Sequence, residues 1–363
     1  KNIIRKTYKN YFLKIQIFLW SGRGSWDLSQ LFYLFSKIKK NILWYIFYEI
    51  NIYLKKEISI NYHTPVLINE ICDLAFRSDF DEPDRKNYNE NKIIIDACFG
   101  EGGYTDIFLQ RFANSKIIGI EQDIEIFKVS TEKFKNNQRV KIINGNFKNV
   151  LLQLNNDNNF NRRIDLIVFD LGISMYHIKA SNKGITFQKD QPLDMRLTSD
   201  AKVDASQIIN KYSKQQLADI FYYNADERLS YKIADAIIEY RRKKPILTTG
   251  QLVEVVSTVK GLKQKGGINP ATKVFQALRI AVNNEFENLE KGLLYAYNLL
   301  RIGGRIAVVS YHSGEDRIVK NFIRDNKDKI VAVNKKPLSA SWIENKKNPS
   351  ARSAKLRVFE KIK

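Results

Sequence analysis

The sequence predicts a doubly wound α/β domain interrupted by a helical module, and three observations carry the prediction. From Ile93 onward, short apolar runs alternate with segments of helical period. The first run leads straight into a glycine cluster, Gly100-Glu101-Gly102-Gly103. Between about Ile178 and Pro270 the alternation stops and only helical periodicity is left. Strands covered on both faces read as continuous apolar runs, and strand–helix alternation implies right-handed crossovers around a parallel sheet.

Taken in order, "KIIIDA" reads as the first strand and Tyr104–Phe112 as the helix after it. "SKIIGIE" is the second strand and Ile124–Phe134 the second helix; "VKIIN" and "IDLIVFD" are the third and fourth strands. In the following segment Leu217, Ile220 and Phe221, then Ile233, Ala234, Ile237 and Ile238, recur at three and four, the period of amphipathic helices. One long helix is expected from Thr272 to Leu300, ahead of a fifth strand in "GGRIAVVSYH" and a last strand in "KLRVFEKI". Residues 78–92 and Asn155–Asn161 read as solvated loops. The expected organisation is an extension over 1–60, a first core segment over 61–177, an inserted helical module for substrate recognition over 178–270 and a second core segment over 271–363.

Composition narrows the function. Sixty Lys and Arg face 39 Asp and Glu, a net charge of +21 in 363 residues, which favours a polyanionic partner such as nucleic acid. An AT-rich genome, which inflates Lys, Asn and Ile, is the alternative source of that bias. The excess persists without the first sixty residues, which are aromatic and basic. Their longest apolar stretch, Ile42 to Leu54, is broken by Glu49 and Asn51 and falls short of the roughly 20 residues of a spanning helix. They are expected to be a poorly structured extension without membrane association, with an interfacial amphipathic segment as the alternative. Two separated cysteines, Cys72 and Cys98, exclude a disulfide scaffold and a cysteine-based zinc site and fit a reducing compartment. With three histidines, no metal site is expected.

In open α/β sheets ligands sit at the carboxyl ends of the strands. Here the first end carries the glycine cluster, where the backbone can approach a ligand closely. The second ends in Glu121, a carboxylate able to accept hydrogen bonds from two ribose hydroxyls. The third is followed by Asn146-Phe147, an aromatic ring placed to lie against a base, and the fourth ends in Asp170, followed by Gly172. Four such positions together point to a nucleoside cofactor. A dinucleotide usually needs G-x-G-x-x-G, and Thr105 holds the third glycine position. The acidic Glu101 repels phosphates and suits the sulfonium and ammonium of S-adenosylmethionine, with NAD as the alternative. A packing role for the glycines alone is the plainer alternative.

The blocks "YHTPVLINEI" (62–71), "DACFGEGGYT" (96–105), "FDLGIS" (169–174), "GITFQKDQPLDMRL" (184–197), "NPATKVFQALRIAVNNEFENLE" (269–290), "GGRIAVVSYHSGEDRIVK" (303–320) and "NPSARSAKLRV" (348–358) occur in unbroken order. Together they resemble the bacterial ribosomal RNA small subunit methyltransferase H family over residues 61–363. The resemblance implies a Rossmann-like class I S-adenosylmethionine-dependent methyltransferase that methylates N4 of a cytosine in the decoding region of 16S rRNA, within the assembled small subunit. It also implies a cytoplasmic enzyme, monomeric or homodimeric. It maps the cofactor positions onto Gly102, Gly103, Tyr104, Glu121, Phe147, Asp170 and His177. The family normally has Asp at Glu121 and Ser-Ser-x-Gln where this chain has Ser174-Met175-Tyr176-His177. These departures keep open a catalytically silent RNA-binding relative, and an NAD-dependent oxidoreductase is a third reading.

Cytosine N4 is a poor nucleophile because its lone pair is delocalised into the ring. An acceptor for its N–H and an aligned methyl group help it react. Asp170 is the candidate acceptor, although "DLGIS" is not the Asp/Asn-Pro-Pro-aromatic loop of many amino-methyltransferases. Attack at C5 would need a cysteine thiolate, and neither cysteine stands in such a context. His312, after the fifth strand, is the second catalytic candidate. Asp194 and Arg196 in PLDMR, Arg279 and Asn283 on one helical face, and Arg317 are substrate-side candidates, beside Glu315 and Asp316. An ordinary surface histidine at 177 and structural ion pairs at 194–196 and 316–320 are the plainer alternatives.

Overall fold

In the computed structural model, residues 65–75, 91–174, 176–177, 181–198, 201–261 and 269–363 are described. The expected extension at 1–60 and all but two residues of the expected loop at 78–92 lie outside them. The last residue of that loop, Lys92, is not solvated: it is buried with its Nζ 3.9 Å from Asp165.

The first half alternates as a doubly wound domain does. Helix α1 (Ile68–Ala75) precedes β1 (Ile93–Asp96), α2 (Gly103–Arg111), β2 (Lys116–Glu121), α3 (Ile124–Phe134), β3 (Val140–Asn144), α4 (Phe147–Asn155) and β4 (Ile164–Asp170). The inserted helices are α5 (Ala205–Lys211), α6 (Lys214–Ala225), α7 (Ser230–Arg241) and α8 (Thr249–Lys260), followed by α9 (Thr272–Asn283) and α10 (Glu285–Leu299). The chain ends with β5 (Leu300–Ser310), α11 (Ser313–Asp325), β6 (Ile330–Ala332), β7 (Leu338–Ser339), α12 (Trp342–Lys347) and β8 (Lys355–Lys361). The sheet order is β3-β2-β1-β4-β5-β8-β6, with β7 on β8; the first five strands are parallel and β8 is antiparallel. Strand order reverses between β1 and β4, and the crevice above that point is where such sheets take ligands.

Side-chain alternation divides the sheet between two cores. Ile94, Leu166 and Val168 face one side with Phe108 and Leu356. Ile95, Ile167 and Phe169 face the other with Leu289 and Leu293 of α10. A third cluster belongs to the inserted helices, with Leu217, Phe221, Ile233, Ile237, Leu252 and Val256 at its centre. Their starts are chemically marked: Ser213 with Gln216, and Thr248 with Gln251, form capping boxes for α6 and α8.

The helix expected as one piece from Thr272 to Leu300 is two. Asn284 adopts a left-handed conformation, φ 50° and ψ 40°, which Asn tolerates better than most residues and which ends α9. Val274, Phe275 and Leu278 of α9 pack with the inserted helices, whereas α10 packs on the sheet. The packing of the helical group therefore runs past 270 to the break. Arg279 braces it, its Nε and Nη2 donating to the Glu285 carboxylate at 2.8 and 2.9 Å.

Candidate functional site

A cavity of about 430 Å³ opens at the carboxyl ends of the strands and extends to α9 and α11. One side is the glycine turn. Gly100 has φ +53° and its N–H donates to Glu121 Oε2 at 2.9 Å. Gly102, at φ +77°, has no room for a side chain, because a Cβ would lie 2.5 Å from the Phe134 ring. Gly102 itself stands behind the cavity wall, while Gly103 and Tyr104 line it. The Tyr104 hydroxyl donates to Val66 O at 2.6 Å, which anchors α2 to the chain before α1.

Three carboxyls gather at the adjoining strand ends. Burial pushes Asp170 up to about 7, against the opposing effect of the Tyr311 hydroxyl, which donates to its Oδ1 at 2.6 Å. Burial likewise pushes Glu121 up to about 7, although its oxygens accept from the Gly100 and Asp123 N–H groups. Asp96, behind the turn, also rises to about 7 by burial; Thr105 donates to its Oδ2 at 3.0 Å, and its Oδ1 has no hydrogen-bond partner. A cation entering the cavity would favour the ionised form of all three. Phe147 lines the opposite wall at the start of α4, its ring edge-on to Phe169 at 5.4 Å.

His177 is buried rather than a surface residue, and both its ring nitrogens face protein. Nε2 lies 3.1 Å from Asp123 Oδ2 and Nδ1 lies 3.2 Å from Ser174 Oγ. Burial opposes ionisation of Asp123, but hydrogen bonds from His177 and Lys183 hold its carboxyl well below the usual range. His177 thus ties the loop after β4 to the cap of α3, at the edge of the same cavity.

On the far side, His312 caps α11, with the Glu315 N–H 3.4 Å from its Nδ1 and Phe286 5.7 Å from its ring. Its Nε2 is buried with no hydrogen-bond partner, although Glu315 Oε1 lies 3.2 Å away, out of line for a hydrogen bond. Glu285, His312 and Glu315 each bring one ligand atom within 4.8 Å of the others. Arg279 already engages both oxygens of Glu285, so a cation is in place there.

The structure brings ten predicted residues to one cavity: Gly103, Tyr104, Glu121, Phe147, Asp170, His177, Arg279, Asn283, His312 and Glu315. It leaves Asp194, Arg196 and Arg317 outside the lining. Asp194 and Arg196 form a two-pronged pair at 2.7 and 2.8 Å, the structural alternative at that motif. Arg317 reaches Asp226 at the end of α6, 3.4 Å away. Asn283 holds the PLDMR loop, accepting from Leu197 N–H and donating to Met195 O, each at 2.9 Å. Asp316 is paired with Arg357 of β8 at 2.7 Å. Tyr311, Asp123 and Glu285 were not singled out by sequence. Only Asp123 carried a local signal, an acid just before a helix.

The MraW methylase family matches residues 61–362. The ribosomal RNA small subunit methyltransferase H of Coprothermobacter proteolyticus is 40% identical over 301 residues, covering 82% of this chain and 96% of that protein. Its counterpart in Ehrlichia chaffeensis is 40% identical over 311 residues, covering 83% of this chain and 100% of that protein. The Borreliella burgdorferi protein of the same name is 39% identical over 308 residues, covering 83% and 98%.

Proposed function

The chain belongs to the MraW methylase family, and from that premise we propose that it methylates N4 of a cytosine in the decoding region of 16S rRNA, acting on the small ribosomal subunit with S-adenosylmethionine as donor. The observation that carries the cofactor is a cavity of nucleoside size lined by two buried carboxyls, Glu121 and Asp170, with a third, Asp96, buried behind the glycine turn. That donor set fits a cation bearing a ribose and does not fit a pyrophosphate. Bound there, S-adenosylmethionine supplies an electrophilic methyl group.

Glu121 keeps lone pairs for ribose hydroxyls, since each oxygen accepts only one backbone N–H. Phe147 offers its ring to the adenine, and Asp96 acts through its charge from behind the turn. His177 serves the cofactor side by holding Ser174 and Asp123. Asp170 is the acceptor for the amino N–H of the target base. Tyr311 occupies its Oδ1, which leaves Oδ2 for the substrate. In the reaction the amino nitrogen gains the methyl group and loses one proton, which the Asp170 carboxylate receives. His312 and Arg279 line the part of the cavity beyond Asp170 and face the base. Among the described residues no helix is long and apolar enough to cross a membrane.

The test is methyl transfer from labelled S-adenosylmethionine to small subunits lacking the modification, with the labelled nucleoside identified after digestion. Label in N4-methylcytidine is expected. Asp170→Asn should lower kcat by about 10²–10⁴, and, because it removes one of the carboxyls that answer the cofactor's charge, it should also weaken S-adenosylmethionine binding. Label on another nucleoside, or an unimpaired Asp170→Asn variant, would overturn the corresponding assignment.

A further inference from the structure

We infer that the outer face of α6 and α7 is a stacking surface for unpaired RNA bases that flank the target nucleotide. This rests on the reading that RNA is the substrate and adds to it the place where the strand is held.

Tyr222, Tyr223 and Tyr231 are 52%, 67% and 54% exposed, unusual for three aromatic rings on one helical hairpin. The rings of Tyr222 and Tyr223 lie 5.3 Å apart at 84°. The Tyr231 hydroxyl donates to Gln215 Oε1 at 2.8 Å, and Gln215 precedes Tyr222 by two helical turns, so both belong to one face of α6. That face ends at Asp226, which is tied to neighbours of cavity-lining residues. The Asp226 N–H donates to Tyr222 O, while the Asp226 carboxylate accepts from Ser313, the neighbour of cavity-lining His312, at 2.8 Å. Lys273, next to cavity-lining Thr272, donates to Asp226 O at 2.8 Å.

The chemistry of the face selects among partners. Arg228 and Lys232 of the same hairpin are exposed, and Arg317 and Lys273 both reach Asp226 at its end. The one acid on the Gln215 face, Asp219, is engaged by the Gln215 amide at 2.8 Å. Exposed aromatic rings and cations on one hairpin suit a strand of bases and phosphates, and a chain of net charge +21 favours that partner over a protein. Geometry asks for such a surface. A cytosine whose amino group reaches buried Asp170 has left its stack, so its neighbours lose a stacking partner. Tyrosine rings one helical turn from Asp226, which is tied to the cavity rim through Ser313, replace it.

The experiment measures binding of a fluorescein-labelled single-stranded RNA 12-mer, and of a duplex of equal length, to the full chain. It also measures KM for unmethylated small subunits. In Tyr222→Ala/Tyr223→Ala we expect single-strand affinity to fall about tenfold or more and KM to rise similarly. S-adenosylmethionine affinity, melting temperature and duplex binding should stay unchanged. Tyr222→Phe/Tyr223→Phe, which keeps both rings, should bind as the wild type does. Unchanged single-strand affinity in the alanine variant, an equal loss for duplex, or an equal loss in the phenylalanine variant each overturns the inference. If the wild type methylates and the alanine variant matches it in KM, this inference fails and the activity stands. If the alanine variant loses single-strand affinity but the wild type transfers no methyl, the activity reading fails instead.

Discussion

Tyr311 stands at the end of β5, and its hydroxyl reaches Asp170 on the neighbouring strand at 2.6 Å. The bond favours the charged carboxylate, while burial and the nearby charge of Glu315 disfavour it, and the balance leaves Asp170 at about 7. A proton acceptor must be ionised, so kcat/KM should rise with pH through about 7. Tyr311→Phe removes the larger of the two side-chain contacts, Tyr311 and Tyr104, that pull the value down, while keeping the ring against Gly172. The acid limb of the kcat/KM profile should therefore move to higher pH, with the plateau rate reduced far less than at limiting pH. A limb that stays in place would show that Tyr311 does not tune Asp170. This contact was illegible in the sequence because its partners lie 141 positions apart and meet only once β4 and β5 pair. Asp170 itself was legible, because an acid closing an apolar run marks a strand end.

Among elements, the α9–α10 junction shows what periodicity misses. Apolar residues continue at helical spacing through Asn283-Asn284, and the sequence holds no Gly or Pro there. The break is a backbone choice at one Asn, and its purpose is to let α9 serve the helical cluster and α10 the sheet. Arg279 and Glu285 meet across it although six residues apart, a spacing that no continuous helix would bring together. Asn284→Gly should keep the left-handed turn at little cost. Asn284→Val should destabilise the fold by about 1–2 kcal/mol, because a branched side chain is strained there. Denaturant melts of the two variants check this, and equal stability would mean that the turn is not under strain. Strands β1, β2 and β4, by contrast, were readable almost to the residue, since strands buried on both faces are apolar throughout, whereas β6 and β7, three and two residues long, left no such run and were not predicted.

For the whole molecule, the three raised carboxyls couple protons to cofactor. Their folded values of about 7 lie above the ordinary 3.8 and 4.5, so between those limits the folded chain binds more protons than the unfolded chain. These groups therefore favour folding less as pH rises toward 7. A bound cation reverses the preference and expels protons, so affinity for S-adenosylmethionine should increase from about pH 6 to about pH 8. The melting-temperature gain it confers should grow over that range, and uncharged-sulfur S-adenosylhomocysteine should show a weaker trend. Equal gains at both pH values would mean that the acids do not sense the ligand's charge. The ionic partner of Arg317 was as hidden in the sequence as that of Tyr311, for Asp226 lies 91 positions away in another element. Pairings of this reach also order events in time. Arg301 meets Asp165 across 136 positions, and every inserted helix lies inside the loop that β4 and β5 close. Loop-closure entropy makes such contacts late ones. Helices α5 to α8, held mostly by near neighbours in the chain, can collapse first, and the docking of β5 delivers Tyr311 and His312 afterwards. A refolding chain therefore regains its helix content before it regains its reaction centre, and catalytic competence marks the close of assembly.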